Sequence, residues 1–185
     1  MIFDGTGEQH IHGSVTFNNL VKQAGDTLQL NGHVTVTGTL TLTEGIINTS
    51  ASDLLTIGPD GDVSAGSVSS YINGPLQHTE NSTTADTKLF PFGSDGVYRP
   101  ITLNLTQADA TTRTYLGSLN AGPPSERTLP TGADELVRVS GARYYRISQS
   151  PEAAVTSATV TLDYQPDDEV DDGTTLRIAK SDGAG

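Results

Sequence analysis

The chain has 185 residues and a net charge of −12, with only three Lys and seven Arg against 22 carboxylates, and it contains neither Cys nor Trp. An acidic balance of this size repels nucleic acid, whose binding runs on Lys and Arg releasing counterions. The lack of Cys removes disulfides, thiolate nucleophiles and Cys-based metal sites. No run of 18 apolar residues is present, so no membrane-spanning helix is expected, and the start at Met1 has no basic or apolar leader. Aromatics make up 5% while Thr, Ser, Gly, Val and Leu dominate, a composition that suits many short strands with small inward side chains. The expected class is all-β.

In chain order, Phe3 to Gly13 reads as a turn and a first strand, with Ile11, Val15, Phe17 and Leu20 pointing inward. The stretch from Leu28 to Thr43 organises the first half of the chain. Its apolar residues Leu28, Leu30, Val34, Val36, Leu40 and Leu42 fall in pairs two apart that repeat every six, with Gly32 and Gly38 between them. Alternation within each pair sends the aliphatic side chains to one face, and the glycines bend the strand before it runs long. Such short strands predict the rungs of a β-solenoid. Gly13-Ser-Val15-Thr, Gly32-His-Val34-Thr and Gly61-Asp-Val63-Ser share a motif at separations of 19 and 29 residues, which predicts three unequal coils with an insertion around Asn48 to Asp53. Stacking is obligatory, because one coil cannot bury its own apolar face.

The solenoid is expected to end at Tyr71 to Leu76, where Asn73-Gly74 supplies a turn and Pro75 removes a ladder donor. Residues 1–76 then form a β-solenoid domain, 77–87 a polar connection and 88–185 an antiparallel β-sandwich. Six strands are predicted in the last part: Ile101 to Leu105, Tyr115 to Leu119, Leu136 to Val139, Tyr144 to Ile147, Ala158 to Tyr164 and Leu176 to Ala179. Phe90 and Phe92 flank Pro91 where the texture changes, and they are expected to plug the solenoid end or seal the interface. Phe3, in the open first coil, and Ile178, on the last strand, are the expected contacts with neighbours.

No G-x-S-x-G elbow, H-E-x-x-H or P-loop is present. Lys22 is the sole Lys or Arg before Glu80, whereas solenoid lyases and hydrolases cluster Asp, Arg and Lys on one face. No enzymatic activity is expected, since no site assembles. His10 and His12 alternate onto one face as metal ligands do, or stand as plain exposed strand histidines. Aligning Gly13 with Gly32 places Ser14 over His33, so His33 does not join them. The loop from Tyr164 to Gly173 gathers Asp167, Asp168, Glu169, Asp171 and Asp172, a density of hard oxygen ligands that suits calcium but equally a solvated acidic hairpin. Tyr71, Tyr98, Tyr144 and Tyr145 read as packing residues, with stacking on sugars as the other use.

Several phrases together carry a resemblance. Phe3-Asp-Gly-Thr-Gly-Glu-Gln, Val34-Thr-Val-Thr-Gly-Thr-Leu-Thr-Leu-Thr-Glu-Gly, Tyr71-Ile-Asn-Gly-Pro-Leu, Phe90-Pro-Phe-Gly, Tyr98-Arg-Pro-Ile-Thr-Leu and Leu176-Arg-Ile-Ala-Lys resemble a module of large, repetitive, adhesin-like bacterial cell-surface proteins, often exported by the type IX secretion route. The resemblance spans nearly the whole chain. It implies an extracellular, non-catalytic structural or adhesive module that joins neighbouring modules or copies of itself through β-edges. In that family a further strand usually follows the Leu-Arg-Ile-Ala-Lys phrase, so the sandwich is expected to be incomplete at its C-terminal side. The alternative from another class is a carbohydrate-binding or polysaccharide-processing module.

Overall fold

In the computed structural model, residues 1–125, 138–168, 170, 172–174 and 176–180 are described. The first twelve strands come in threes, one triplet to a coil. Coil one holds β1 (Ile2–Phe3), β2 (Gln9–His12) and β3 (Val15–Phe17), and coil two holds β4 (Leu20–Gln23), β5 (Leu28–Asn31) and β6 (Val34–Val36). Coil three holds β7 (Thr39–Glu44), β8 (Ile47–Asn48) and β9 (Leu55–Ile57), and coil four holds β10 (Asp62–Val63), β11 (Ile72–Asn73) and β12 (Leu76–Glu80). Corresponding strands pair in parallel, so the coils stack into three faces: β1-β4-β7-β10, β2-β5-β8-β11 and β3-β6-β9-β12.

Register explains why the alternation matters. On the third face, Val15, Val34, Leu55 and Leu76 stack in one inward column, and Phe17, Val36, Ile57 and His78 in the next. Thr16, Thr35, Thr56 and Gln77 stand outward between them. Leu28, Leu30, Val34, Val36 and Leu40 are fully buried and Leu42 nearly so. Each aliphatic side chain therefore closes the rung above and below it, which is how rungs too short to fold alone share one core. Gly32 lies so close to the Gly13 carbonyl oxygen that a Cβ at this position would collide with it, and the residue type at this corner is fixed by the stacking.

The expected count of three coils is corrected to four. Val63 pairs with Leu40 on the first face, so its motif is not the counterpart of Val34; Leu55 is. The sequence spacing misled because the corner before Leu55 is longer than its equivalents. There the Ser50 hydroxyl donates to Asp53 Oδ2 at 2.8 Å and Ser52 does the same, a local turn that holds the extra residues outside the coil.

The second half grows out of the third face. β12 pairs in parallel with β9 on one side and antiparallel on the other with β17 (Arg113–Ala121), which pairs with β18 (Arg143–Ser150), after the chain has made β13 (Asp86–Phe90), β14 (Gly93–Ser94), β15 (Val97–Tyr98) and β16 (Ile101–Gln107). Facing this extension is an antiparallel sheet of order β13-β16-β19, where β19 is Val155–Leu162. The two sheets form the sandwich, and Phe90, Phe92, Ile101, Leu103, Leu105 and Tyr115 fill it as part of the same cluster that fills the coils. Residues 77–80, read from the sequence as the start of a connection, thus lie in the strand through which solenoid and sandwich share a sheet.

Three of the six predicted sandwich strands lie within β16, β17 and β18, and a fourth, Ala158 to Tyr164, overlaps β19, which ends at Leu162. Leu136 and Val137 fall outside the described residues, and Arg138 and Val139 are not in a strand. The expected strand from Leu176 to Ala179 is corrected: its described residues have no ladder partner among the described residues and are exposed. Its Leu176 and Ile178 alternate, but alternation makes a strand only where a sheet edge and a core meet it.

Candidate functional site

Three places gather chemistry-bearing side chains: the seam where β12 joins the two halves, an arginine and aspartate cluster beside the sandwich, and the open edge of coil one.

At the seam, Phe90 and Phe92 are fully buried with ring centroids 5.7 Å apart. Ile72 N–H donates to the Pro91 carbonyl at 2.9 Å and Ile72 bridges to Phe92, so the segment after β13 carries the second solenoid face one rung further. His78, last in its inward column, meets the Phe90 ring edge-on at 4.7 Å. Its Nε2–H donates to the Leu89 carbonyl at 2.8 Å. Burial favours the uncharged ring and brings its pKa down to about 4, with the Lys88 charge adding to the effect.

Next to it, Lys88 Nζ lies 2.7 Å from Glu80 Oε2 and 2.6 Å from Asp86 Oδ2. Burial alone would lower the Lys88 pKa, but these two carboxylates reverse that and hold it above its ordinary value. Glu80 Oε1 also accepts from the N–H groups of Asn81 and Ser82. Arg113 continues the polar layer by bonding Gln107 Oε1 at 3.1 Å and both Asp109 oxygens at 2.8 and 2.9 Å. The Tyr115 hydroxyl donates to Gln107 as well, and accepts from Gln149. A cleft of about 400 Å³ opens here, lined by Asp60, Asp62, His78, Glu80, Asp86 and Lys88 among others. Glu80, Asp86, Lys88 and Arg113 each face an opposite charge, an arrangement that holds strands together.

The acidic loop meets arginine. Asp167 Oδ2 accepts from the Arg99 guanidinium and, at 3.0 Å, from Arg143 Nη2, while Arg143 Nε pairs with Asp168. Asp168 also accepts from the Gln165 N–H at 2.6 Å. Arg99 is 2% exposed and Arg143 12%, so these carboxylates supply the counter-charge of two largely buried cations. Asp172 accepts from the Thr174 N–H and hydroxyl. Glu169 and Asp171, the other two expected calcium ligands, lie outside the described residues. Sequence reasoning did not find Arg99 and Arg143; the one available signal was that all Arg lie at or after position 99, in the half whose loops are acidic.

Tyr71, Tyr98 and Tyr145 follow the packing reading. Tyr71 is buried and its hydroxyl accepts from the Gly96 N–H at 3.1 Å; the Tyr98 hydroxyl accepts from Gly66 N–H at 3.2 Å. Burial, followed by the nearby Asp168 carboxylate, pushes the Tyr145 phenol up to about 12.

At the other end of the solenoid, β1, β2 and β3 are the terminal strands of the three faces, and among the described residues no strand pairs with their outer edges. Phe3, Val15 and Phe17 are only partly covered, whereas Val36, which stacks on Phe17, and Ile57, which stacks on Val36, are fully buried. His10 and His12 are exposed on β2, with rings 5.7 Å apart and inclined by 17°. Ile178, the other expected contact, is exposed at the opposite end of the chain. Among the described residues no three His, Asp or Glu side chains converge on one metal position, and no helix is long and apolar enough to cross a membrane.

The architecture defines the class: an all-β protein in which a four-coil β-solenoid passes one sheet directly into an antiparallel sandwich. Comparison with protein-family models, with curated proteins and with solved structures returns no match.

Proposed function

We propose that the chain is a non-catalytic structural module of an extracellular bacterial surface protein or filament, joining its neighbours through β-edges. The observation that carries this reading is the difference between the two ends of the solenoid. At the far end two of the three faces are continued, as β12 passes its edge to β17 and Phe92 adds a bridge to the face of β11, while β10 ends the first face beside β13. Among the described residues, the near end presents three strand edges with no ladder partner, around half-covered Phe3, Val15 and Phe17. Unpaired N–H and C=O rows beside apolar side chains are a template for strand addition, and solenoids that stay single cap such ends with polar elements. The paired buried charges at the seam fit the same reading, because they lock strands rather than leave a reactive group exposed to a substrate. A net charge of −12 limits unspecific sticking and leaves the open coil as the preferred contact.

Sedimentation velocity and electron microscopy of the chain over a range of protein and salt concentrations test the reading. Concentration-dependent association is expected. A monomer at every concentration, or reproducible retention on a glycan array, would overturn it.

A further inference from the structure

The outward face of β2 carries more than a plain strand edge needs. His10 and His12 stand two apart on it, both exposed, with their rings nearly parallel at 5.7 Å. Asn31 Oδ1 lies 3.0 Å from His10 Nδ1, so the neutral ring donates Nδ1–H to the amide oxygen and directs its Nε2 lone pair outward. Glu8 Oε1 lies 3.6 Å from that Nε2, adding a negative charge beside it. A second hydrogen bond that fixes the tautomer and orients the ring is the arrangement that ligating imidazoles use. Only His10 has this second bond; His12 joins it through the parallel rings, and the two imidazoles fill half of the four-coordinate shell that zinc takes, with no third ligand converging on them among the described residues.

We infer that His10 and His12 hold a first-row transition metal ion whose remaining two positions are filled by His10 and His12 of a second copy, the two open coils meeting edge to edge through β2. The inference rests on the proposed role of the open edge and names its partner. Antiparallel pairing of β2 with itself about a two-fold axis sets His10 opposite the partner's His12, and His12 opposite the partner's His10. Directly opposed residues share a face, with Cβ atoms about 5 Å apart, so four imidazoles gather on one side. The same axis brings β1 against the partner's β3, which covers Phe3, Val15, Phe17 and Ile11 on the inner side. The contact is isologous and therefore closes as a dimer instead of growing into a fibre.

The test uses the tag-free chain with zinc chloride, followed by calorimetry and sedimentation. Expected are one ion per two chains, a doubled particle mass with zinc, and return to the starting mass with EDTA. His10→Gln and His12→Gln, at exposed positions, should each abolish both effects, while His33→Gln leaves them intact. With copper(II), electron paramagnetic resonance should show four nitrogens on each ion. No zinc uptake, uptake that survives the His10→Gln/His12→Gln double variant, or one ion on a monomeric chain would overturn the inference. Association that is identical with and without zinc overturns the metal site but leaves the β-edge reading standing.

Discussion

A Cβ on Gly117 would stand 2.6 Å from Phe90 Cδ1 and 3.2 Å from Phe92 Cζ. The glycine lies on β17, in the sheet that continues the solenoid, and the rings come from β13 and the segment after it, so here the two layers of the sandwich are in direct contact. Both rings are fully buried and have nowhere to retreat.

Gly117→Val should therefore overpack the sandwich and cost about 1 to 3 kcal/mol. In a chain of this size, each kcal/mol corresponds to about 2 to 4 °C in the thermal midpoint. Phe90→Leu in the same background should restore part of the loss. A Gly117→Val protein that melts with the parent would show that the layers are not in contact there.

His78 makes the fold sensitive to mild acid. Its folded pKa, about 4, lies below the unfolded value of 6.5, so between these limits the unfolded chain binds a proton that the folded chain does not. Stability then falls as the pH drops through this window, by up to about 3 kcal/mol for the shift as a whole, and the dependence on this group ends below the folded pKa. His78→Gln, which keeps a donor for the Leu89 carbonyl, should flatten the midpoint between pH 6.5 and 4 relative to the parent. Parallel curves for the two proteins would mean that His78 is protonated in the fold.

The solenoid could be read from the sequence because its signal is local. The pairs Leu28/Leu30, Val34/Val36 and Leu40/Leu42 each state which face is inward, and all six side chains are buried. The coil count was not legible, because the turn of Ser50, Ser52 and Asp53 hides the equivalence of Leu55 to Val34 behind extra residues. The double role of β12 was hidden too. Gln77, Thr79 and Glu80 look like a polar connection, and only the pairing with Arg113 to Gly117 gives Glu80 and His78 an interior. The same limit applies to the acidic loop. Composition shows five carboxylates close together, but the cations opposite Asp167 come from Arg99 and Arg143, placed there by the fold and not by any spacing.

Removing the charge at position 167 should take from Arg99 its carboxylate partner, while Arg143 keeps Asp168. Arg99 is nearly buried, but Asp167 is 57% exposed, so solvent screens part of the pair and Asp167→Asn should cost about 1 to 2 kcal/mol rather than the larger penalty of a fully buried pair. Because both arginines already face this carboxylate, millimolar calcium should leave the midpoint of the parent unchanged. A rise with calcium that Asp167→Asn abolishes would return the loop to the calcium reading.

The shared sheet carries a last prediction about cooperativity. β12 is bonded to β9 and to β17, and one cluster of buried side chains runs from Leu20 in the coils to Leu105 and Tyr115 in the sandwich. Loss of the coils would expose the parallel edge of β12 and the faces of Phe90 and Phe92, so neither half keeps its contacts without the other. Val36 sits in coil two between Phe17 and Ile57 and is fully buried. Val36→Asp puts an unpaired charge into that column at a cost of several kcal/mol. Although the substitution lies far along the chain from the sandwich, it should lower the melting of the whole molecule in one step. The near-ultraviolet circular dichroism of the tyrosines, which include Tyr115 and Tyr145 in the sandwich, should fall together with the far-ultraviolet strand signal. Calorimetric and van't Hoff enthalpies should also agree, as for a single cooperative unit. Two separated transitions, with the tyrosine signal keeping its parental midpoint, would show that the coils and the sandwich fold independently despite the strand they share.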